Sequence, residues 1–287
     1  MPRALVVGPN SMLGSRLSER LRELGWDVLG VGRRAECDVY LDLGGAELCL
    51  DYPVLKADVL FHCASAFGDD SPEGAWLNER VNVLGSHQVL ALARAAGCRQ
   101  VIYAGSVSSA AQAPDLGSYG ASKARAEQIL AWGLEREGLG FASLRLAQLY
   151  DERGECVNHQ RWFGRIVSYA RTGRALRLPP GDALRNFVHV RDAVAALVLA
   201  ADQELRGVTH LCHPEGHSYL SIARQAFEVF GSGGDVVIAP EKVPFHHTLF
   251  PALSPEFSNL RFTSLLEGLR GIRDGGHAQR FEVFDVH

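Results

Sequence analysis

No two cysteines in this chain are spaced as a metal or redox motif needs. The six, at positions 37, 49, 63, 98, 156 and 212, are scattered and form no C-x-x-C pair. They read as reduced core residues of a cytoplasmic protein, not as a disulfide frame. Long apolar runs are missing too. The longest at helical spacing, Ala193 to Ala201, falls far short of the ~20 residues a membrane-spanning helix needs. The opening residues Met1-Pro-Arg-Ala-Leu-Val-Val-Gly8 carry no apolar core of the kind that precedes a signal cleavage site, so a cytoplasmic location is expected. There is no excess of positive charge: 29 Lys and Arg stand against 33 Asp and Glu, for a net −4. That balance predicts neither nucleic-acid nor anionic-membrane binding. No internal repeat or low-complexity segment occurs. What is present is 287 residues, 47% of them hydrophobic, enough for one large domain or for one domain with an annexe.

The first half alternates strand and helix. Ala4 to Val7 is a short apolar run ending at Gly8, as a buried parallel strand would. Leu13, Leu17, Leu21 and Leu24 then recur at helical spacing up to Gly25, a C-cap residue. Further strands are expected over residues 27–31, 39–41, 58–62, 100–103 and 141–146, and helices over about 75–96 and 119–137. This rhythm predicts right-handed βαβ units and an α/β, Rossmann-type doubly wound parallel sheet. Ligands of such sheets bind outside the carboxyl ends of the strands. The second half reads as a helix over 162–170, a strand–turn stretch over 171–182, a helix over 190–201, a strand over 208–211 and a helix over 219–230. A dinucleotide-binding domain is expected over residues 1–147, rejoined by 187–203. The rest, 148–186 and 204–287, is expected to form a smaller substrate-binding α/β portion.

Three stretches carry chemistry. The first is Gly8-Pro-Asn-Ser-Met-Leu-Gly14, between the first strand and the first helix. Gly8 allows a tight turn and Gly14 close helix–strand packing, while the helix N-terminus offers amides to a pyrophosphate. Ser11 stands where the middle glycine of a dinucleotide loop belongs; its side chain either crowds the pyrophosphate or donates to it. An ordinary strand–helix turn also takes Gly, Asn and Ser. The second stretch is Gly32-Arg33-Arg34, after the second strand, where an acidic residue would bind the ribose 2′-hydroxyl of NAD. Two arginines suit a 2′-phosphate instead, so NADP is expected, with NAD possible; a solvated basic loop is the alternative. The third is Tyr119-Gly-Ala-Ser-Lys123. At i and i+4 on a helix, the phenol and the ammonium share a face. A cation beside the phenol lowers its pKa. A lowering of ~3 units needs about 4 kcal/mol of differential interaction. On its own this pair is also what a surface Tyr and Lys on any helix would give.

In this order the pieces resemble the extended short-chain dehydrogenase/reductase superfamily, the NAD(P)-dependent epimerase/dehydratase/reductase group. The resemblance rests on Gly8 to Gly14, Asp42, His62-Cys-Ala-Ser-Ala66, Val81-Asn-Val-Leu-Gly85, Ser106, Tyr119 to Lys123 and Arg185-Asn-Phe-Val-His-Val-Arg-Asp192. It implies that Tyr119 is the catalytic acid/base, that Lys123 lowers its pKa and holds the nicotinamide ribose, and that Ser106 bonds the reacting oxygen. Gly8, Asn10, Ser11, Met12, Leu13, Gly14, Arg33, Arg34, Asp42, Leu43, Cys63, Ala64, Ser65 and Asn82 would line the cofactor, Asp42 at the adenine and Asn82 as a brace behind the nicotinamide. Phe67, Ser108, Gln148, Arg161 and Arg185 would face the substrate, Arg185 at the nucleotide of a nucleotide-sugar unless it serves a structural ion pair. Dehydratases of this group carry an Asp-Glu pair after the catalytic hydroxyl. Here Val107 and Ser108 stand there, which disfavours dehydration.

The resemblance therefore implies an NADP-dependent reductase or epimerase acting at a hydroxyl or ketone carbon of a sugar, nucleotide-linked, in a C2 homodimer paired through the helices at 75–96 and 119–137. The group's later arginine at the pyrophosphate has no match near Gly234-Asp235-Val236. A non-sugar carbonyl reductase and an NADP-binding sensor without turnover are the alternatives. His210, Cys212, His213 and His217 fit no zinc spacing, so no metal is expected. His246 and His247 read as surface or cleft histidines.

Overall fold

The computed structural model describes residues 1–45, 47–48, 52, 55–111, 116–246, 248 and 250–282. Cys49 and His247 therefore lie outside the described residues. In chain order the elements are β1 (Arg3–Val7), α1 (Met12–Glu23), β2 (Asp27–Gly32), β3 (Val39–Tyr40), β4 (Val59–His62) and α2 (Pro72–Asn78). A π-helical stretch, Glu79–Leu84, leads into α3 (Gly85–Ala95), followed by β5 (Gln100–Ser106), α4 (Ser118–Arg136) and β6 (Gly140–Leu146). Then come β7 (Gln148–Tyr150), α5 (Arg161–Thr172), β8 (Leu176–Leu178), β9 (Leu184–Arg185), β10 (Phe187–His189) and α6 (Val190–Asp202). The chain continues through β11 (Gly207–Leu211), β12 (His217–Ser218), α7 (Tyr219–Phe230), β13 (Val236–Ile238) and α8 (Leu265–Asp274).

The chain divides into two compact units, residues 1–146 with 194–211, and residues 147–193 with 212–287. The first holds a seven-stranded sheet in the order β11-β6-β5-β4-β1-β2-β3, every neighbouring pair parallel. The returning segment is thus 194–211, not 187–203 as the sequence suggested. The reason is β11, whose Gly207–Leu211 pairs with Ala142–Leu146 of β6 and closes one edge of the sheet. The second unit has three two-stranded pairs, β10 with β7, β12 with β9 and β13 with β8. Arg171 and Thr172, expected in a strand–turn stretch, instead extend α5, and only Leu176–Leu178 is strand there.

Local chemistry sets these boundaries. In α1 the buried face is Leu13, Leu17 and Leu21, one residue per turn. Leu24 falls beyond the helix and is exposed, because Gly25 takes the left-handed conformation (φ 81°) that ends it. The core of the first unit packs Leu5, Val7, Val31 and Leu60 of the strands against Val89, Leu92, Leu130 and Leu134 of the helices, all at 0–1% exposure. Each such side chain contributes roughly 1.5–3 kcal/mol on burial. The long helix expected from Ala75 begins earlier, at Pro72 capped by Ser71, and widens to π geometry over Glu79–Leu84.

Candidate active site

The carboxyl ends of β1, β4 and β5 bring the expected residues of the first unit together. Gly8, at φ 83°, leaves β1 in a tight turn; a Cβ there would stand 2.9 Å from the backbone of Ala64, which follows β4. A Cβ on Gly14 would stand 2.1 Å from the Gly8 carbonyl oxygen, so the helix start rides directly on the turn. Ser11 caps the first helix. Its hydroxyl turns inward, donating to the Gly8 carbonyl at 2.8 Å and accepting from the Gly14 amide at 3.0 Å as the N-cap of α1. The amides of Met12 and Leu13 are then the ones directed out of the helix end. Cys63 is tied back by its amide to the Val7 carbonyl at 2.9 Å.

At the β2 end, Arg33 and Arg34 are both exposed. Arg34 pairs with Glu36 at 3.7 Å, whereas Arg33 makes no ion pair among the described residues. Asp42 spends one carboxylate oxygen on the Gly44 amide at 3.0 Å. Leu43 is buried against Gly85, where α3 begins.

Ser106 ends β5, and Tyr119 lies in the first turn of α4. The hydroxyls of Ser65 and Ser106 are the polar side chains that act on the Tyr119 phenol. Burial pushes the phenol up to about 12, while those two hydroxyls pull the other way. The Ser65 hydroxyl donates to the Ala66 carbonyl at 3.1 Å and to Asn82 Oδ1 at 3.2 Å. Ser108 is exposed and gives only its backbone N–H to the Ser106 hydroxyl, at 3.2 Å. Phe67 stacks on the Tyr119 ring with centroids 4.9 Å apart at 20°. Asn82, 4% exposed, accepts the Ala66 amide at 2.8 Å and donates to Ser122 at 2.9 Å.

Lys123 departs from expectation. It does share α4 with Tyr119, four residues on. The Nζ donates to the Ala104 carbonyl at 2.7 Å and lies 4.1 Å over the Tyr103 ring. Its effect on the Tyr119 phenol is accordingly not the expected lowering. At 3% exposure, burial drives Lys123 down to about 7, with Cys63 and Glu127 opposing. Glu127 itself bonds the Ser143 hydroxyl at 2.6 Å and the Arg145 guanidinium at 2.6 and 3.1 Å. His62 is buried with Nδ1 unbonded and is held down to about 3, by burial first and then by Lys123, so it is neutral.

The other expected residues belong to the second unit. Gln148 donates to Gln160 at 3.0 Å, and burial raises the Tyr219 phenol while Arg185 and Gln148 act to lower it. The Arg185 guanidinium lies 5.1 Å from the Tyr219 ring and 5.8 Å from that of Phe245, and has no carboxylate partner among the described residues. Trp162 completes this aromatic group, 4.9 Å from Phe245. Arg161 is exposed at the start of α5 and takes no part in it. Tyr219 and Phe245 were invisible as site residues, since nothing in the sequence near them marks more than a helix start and a loop. His210 lies on β11 in the first unit, whereas His213 is tied to Asn186 in the second. Among the described residues no three His, Cys, Asp or Glu side chains are grouped to hold a metal.

The model of the NAD dependent epimerase/dehydratase family matches residues 4–211. The chain belongs to that family. It is an enzyme of the extended short-chain dehydrogenase/reductase type. Among family relatives it is 30% identical over 234 residues to a 3-diazoavenalumate denitrifying reductase of a Streptomyces species, covering 74% of this chain and 76% of that one. It is 24% identical over 273 residues to UDP-glucuronic acid decarboxylase 1 of Xenopus tropicalis, covering 83% of this chain but only 63% of the relative's length. The fold matches the crystal structure of UDP-N-acetylglucosamine 4-epimerase from Bacillus cereus with a TM-score of 0.78 at 18% identity, over 95% of this chain and 98% of that one.

Proposed function

We propose that this protein is an NADP-dependent oxidoreductase or epimerase acting at a hydroxyl or ketone carbon of a small molecule, a nucleotide-linked sugar first, with Ser106, Tyr119 and Lys123 as its catalytic group. The observation that carries the reading is Ser106 at the carboxyl end of β5 with Tyr119 and the buried Lys123 in the first turns of α4. The dinucleotide, when bound, supplies or accepts the hydride. Gly8 and Gly14 let the turn and the helix start pack closely enough to receive it, the Met12 and Leu13 amides meet its pyrophosphate, and Arg33 meets a 2′-phosphate. Lys123 is within one helical turn of Tyr119 and is the cation available to ribose hydroxyls. Ser106 orients the reacting oxygen and Tyr119 moves its proton. A phenol near 12 is protonated at neutral pH, which suits proton donation to a carbonyl being reduced.

Sugar-nucleotide substrates are supported by the epimerase fold and the Xenopus relative. A second reading, reduction of a non-sugar carbonyl, is favoured by the Streptomyces reductase. Assembly as a homodimer in the cytoplasm completes the proposal. It is supported by Trp76, Leu84 and Trp132, apolar side chains 55–62% exposed on α2, the π stretch and α4. Transfer of deuterium from NADPH labelled at C4 to UDP-linked ketosugars and to aryl ketones, read by mass spectrometry, separates the two substrate classes. Tyr119→Phe is expected to abolish that transfer while NADP still binds. Turnover retained above roughly a hundredth of wild type would refute the role, because general acid–base steps are worth ~10²–10⁴-fold.

A further inference from the structure

Two asparagines one helical turn apart, Asn78 and Asn82, are buried at 0% and 4% exposure where α2 passes into the π stretch. Each treats one residue of the loop after β4 as a strand partner would. Asn78 accepts the Gly68 amide at 2.8 Å and donates to the Gly68 carbonyl at 2.9 Å. Asn82 does the same to Ala66, at 2.8 and 3.1 Å. Each then reaches α4 with the same Nδ2: Asn78 to the Ser118 hydroxyl at 3.0 Å, Asn82 to Ser122 at 2.9 Å. Between the two clasped residues lies Phe67, and between the two serines lies Tyr119. The two rings are the stacked pair.

Ser118 is tied further. Its amide donates to Asp70 at 2.6 Å and its hydroxyl to the Asp69 carbonyl at 2.8 Å. The loop it is tied to is itself seated backbone on backbone, since a Cβ on Gly68 would stand 2.1 Å from the Gly74 carbonyl oxygen of α2. The first turn of α4 has no side-chain cap of its own, its N-cap being Gly117. Its position is therefore set from outside, by the 68–71 loop, and that loop is held by Asn78.

We propose that Asn78 is a positioning residue for Tyr119: through Gly68 it fixes Phe67 on the tyrosine ring, and through Ser118 it fixes the helix turn that carries the phenol. The proposal rests on the catalytic reading of Tyr119, but the geometry it asserts is measurable without turnover. An error of about 1 Å at such a group can cost 10²-fold in rate, which is why two buried amides would be spent on one loop.

The test is nuclear magnetic resonance of the full chain with ring-labelled tyrosine at neutral pH. The Tyr119 signal is assigned by its loss in Tyr119→Phe, and its unstacked position is defined by Phe67→Ala. In Asn78→Ala the Tyr119 ring signal is expected to move at least halfway from its wild-type position to the unstacked one. Ser118→Ala, which removes the α4 arm together with the hydroxyl's bond to Asp69, is expected to move it in the same direction and serves if Asn78→Ala does not fold. A Tyr119 signal unmoved in the folded variants would overturn the proposal, even if they melt earlier, since Asn78 would then support the fold alone. Loss of catalysis in Tyr119→Phe tests the catalytic reading separately, so failure of one is distinguishable from failure of the other.

Discussion

Replacing Lys123 by Met should stabilise the protein at mildly acidic pH and kill it as a catalyst. The ammonium is 3% exposed, and burial lowers its pKa from 10.5 to about 7. A difference of that size is roughly 5 kcal/mol against the charged form, at 1.36 kcal/mol per unit. Below pH 7 both folded and unfolded chains carry the proton, and the folded state bears the whole cost. Between pH 7 and 10.5 the unfolded chain binds a proton that the folded chain lacks, so wild-type stability rises with pH on this account. Met removes the cost but leaves the Ala104 carbonyl without its donor, a loss of about 1–3 kcal/mol. The variant should therefore be more stable than wild type by roughly 2–4 kcal/mol at pH 6. That advantage should shrink by roughly 3 kcal/mol by pH 9. Urea unfolding of both proteins at the two pH values measures it. Curves that keep a constant separation from pH 6 to 9 would show that Lys123 does not titrate in this range, and the picture of a destabilised, buried catalytic cation would be lost.

Two further outcomes follow from the exposed groups. Arg33→Ala with Arg34→Ala should weaken NADP about tenfold or more and leave NAD nearly unchanged, since one charge-assisted contact is worth roughly 1.5–3 kcal/mol; calorimetry with both cofactors reads this, and tighter binding of NAD than NADP by wild type contradicts it. Light scattering should give twice the chain mass in wild type and a shift toward monomer in Trp76→Glu with Trp132→Glu; a strictly monomeric wild type across a concentration series removes the dimer.

The sheet was legible because its strands announce themselves as short apolar runs, the first two ended by glycine, and Leu13, Leu17 and Leu21 mark their helix face without help from tertiary structure. The edges were harder. Nothing in Val208-Thr-His-Leu211 says which unit it joins, because a strand's partner is a matter of tertiary pairing. The Tyr119 and Lys123 spacing brings both onto α4 as expected. It does not say where a four-carbon stem ends, and so the Ala104 carbonyl and the Tyr103 ring were missed as its partners. Ser11 was ambiguous for the same reason: a hydroxyl at the middle loop position can face a ligand or cap the helix, and it caps the helix. Asn78 carried no signal at all, being one polar residue in a helix with no motif around it.

The central claim is that a dinucleotide bound on the Gly8–Gly14 turn places its nicotinamide at Tyr119. A crystal structure of the chain grown with NADP tests it most directly. The account predicts pyrophosphate density at the Met12 and Leu13 amides, the 2′-phosphate at Arg33, Lys123 Nζ on the nicotinamide ribose, and the Tyr119 phenol facing the nicotinamide ring. A dinucleotide bound with its nicotinamide away from Tyr119 and Ser106, or none bound at a saturating concentration, would contradict it.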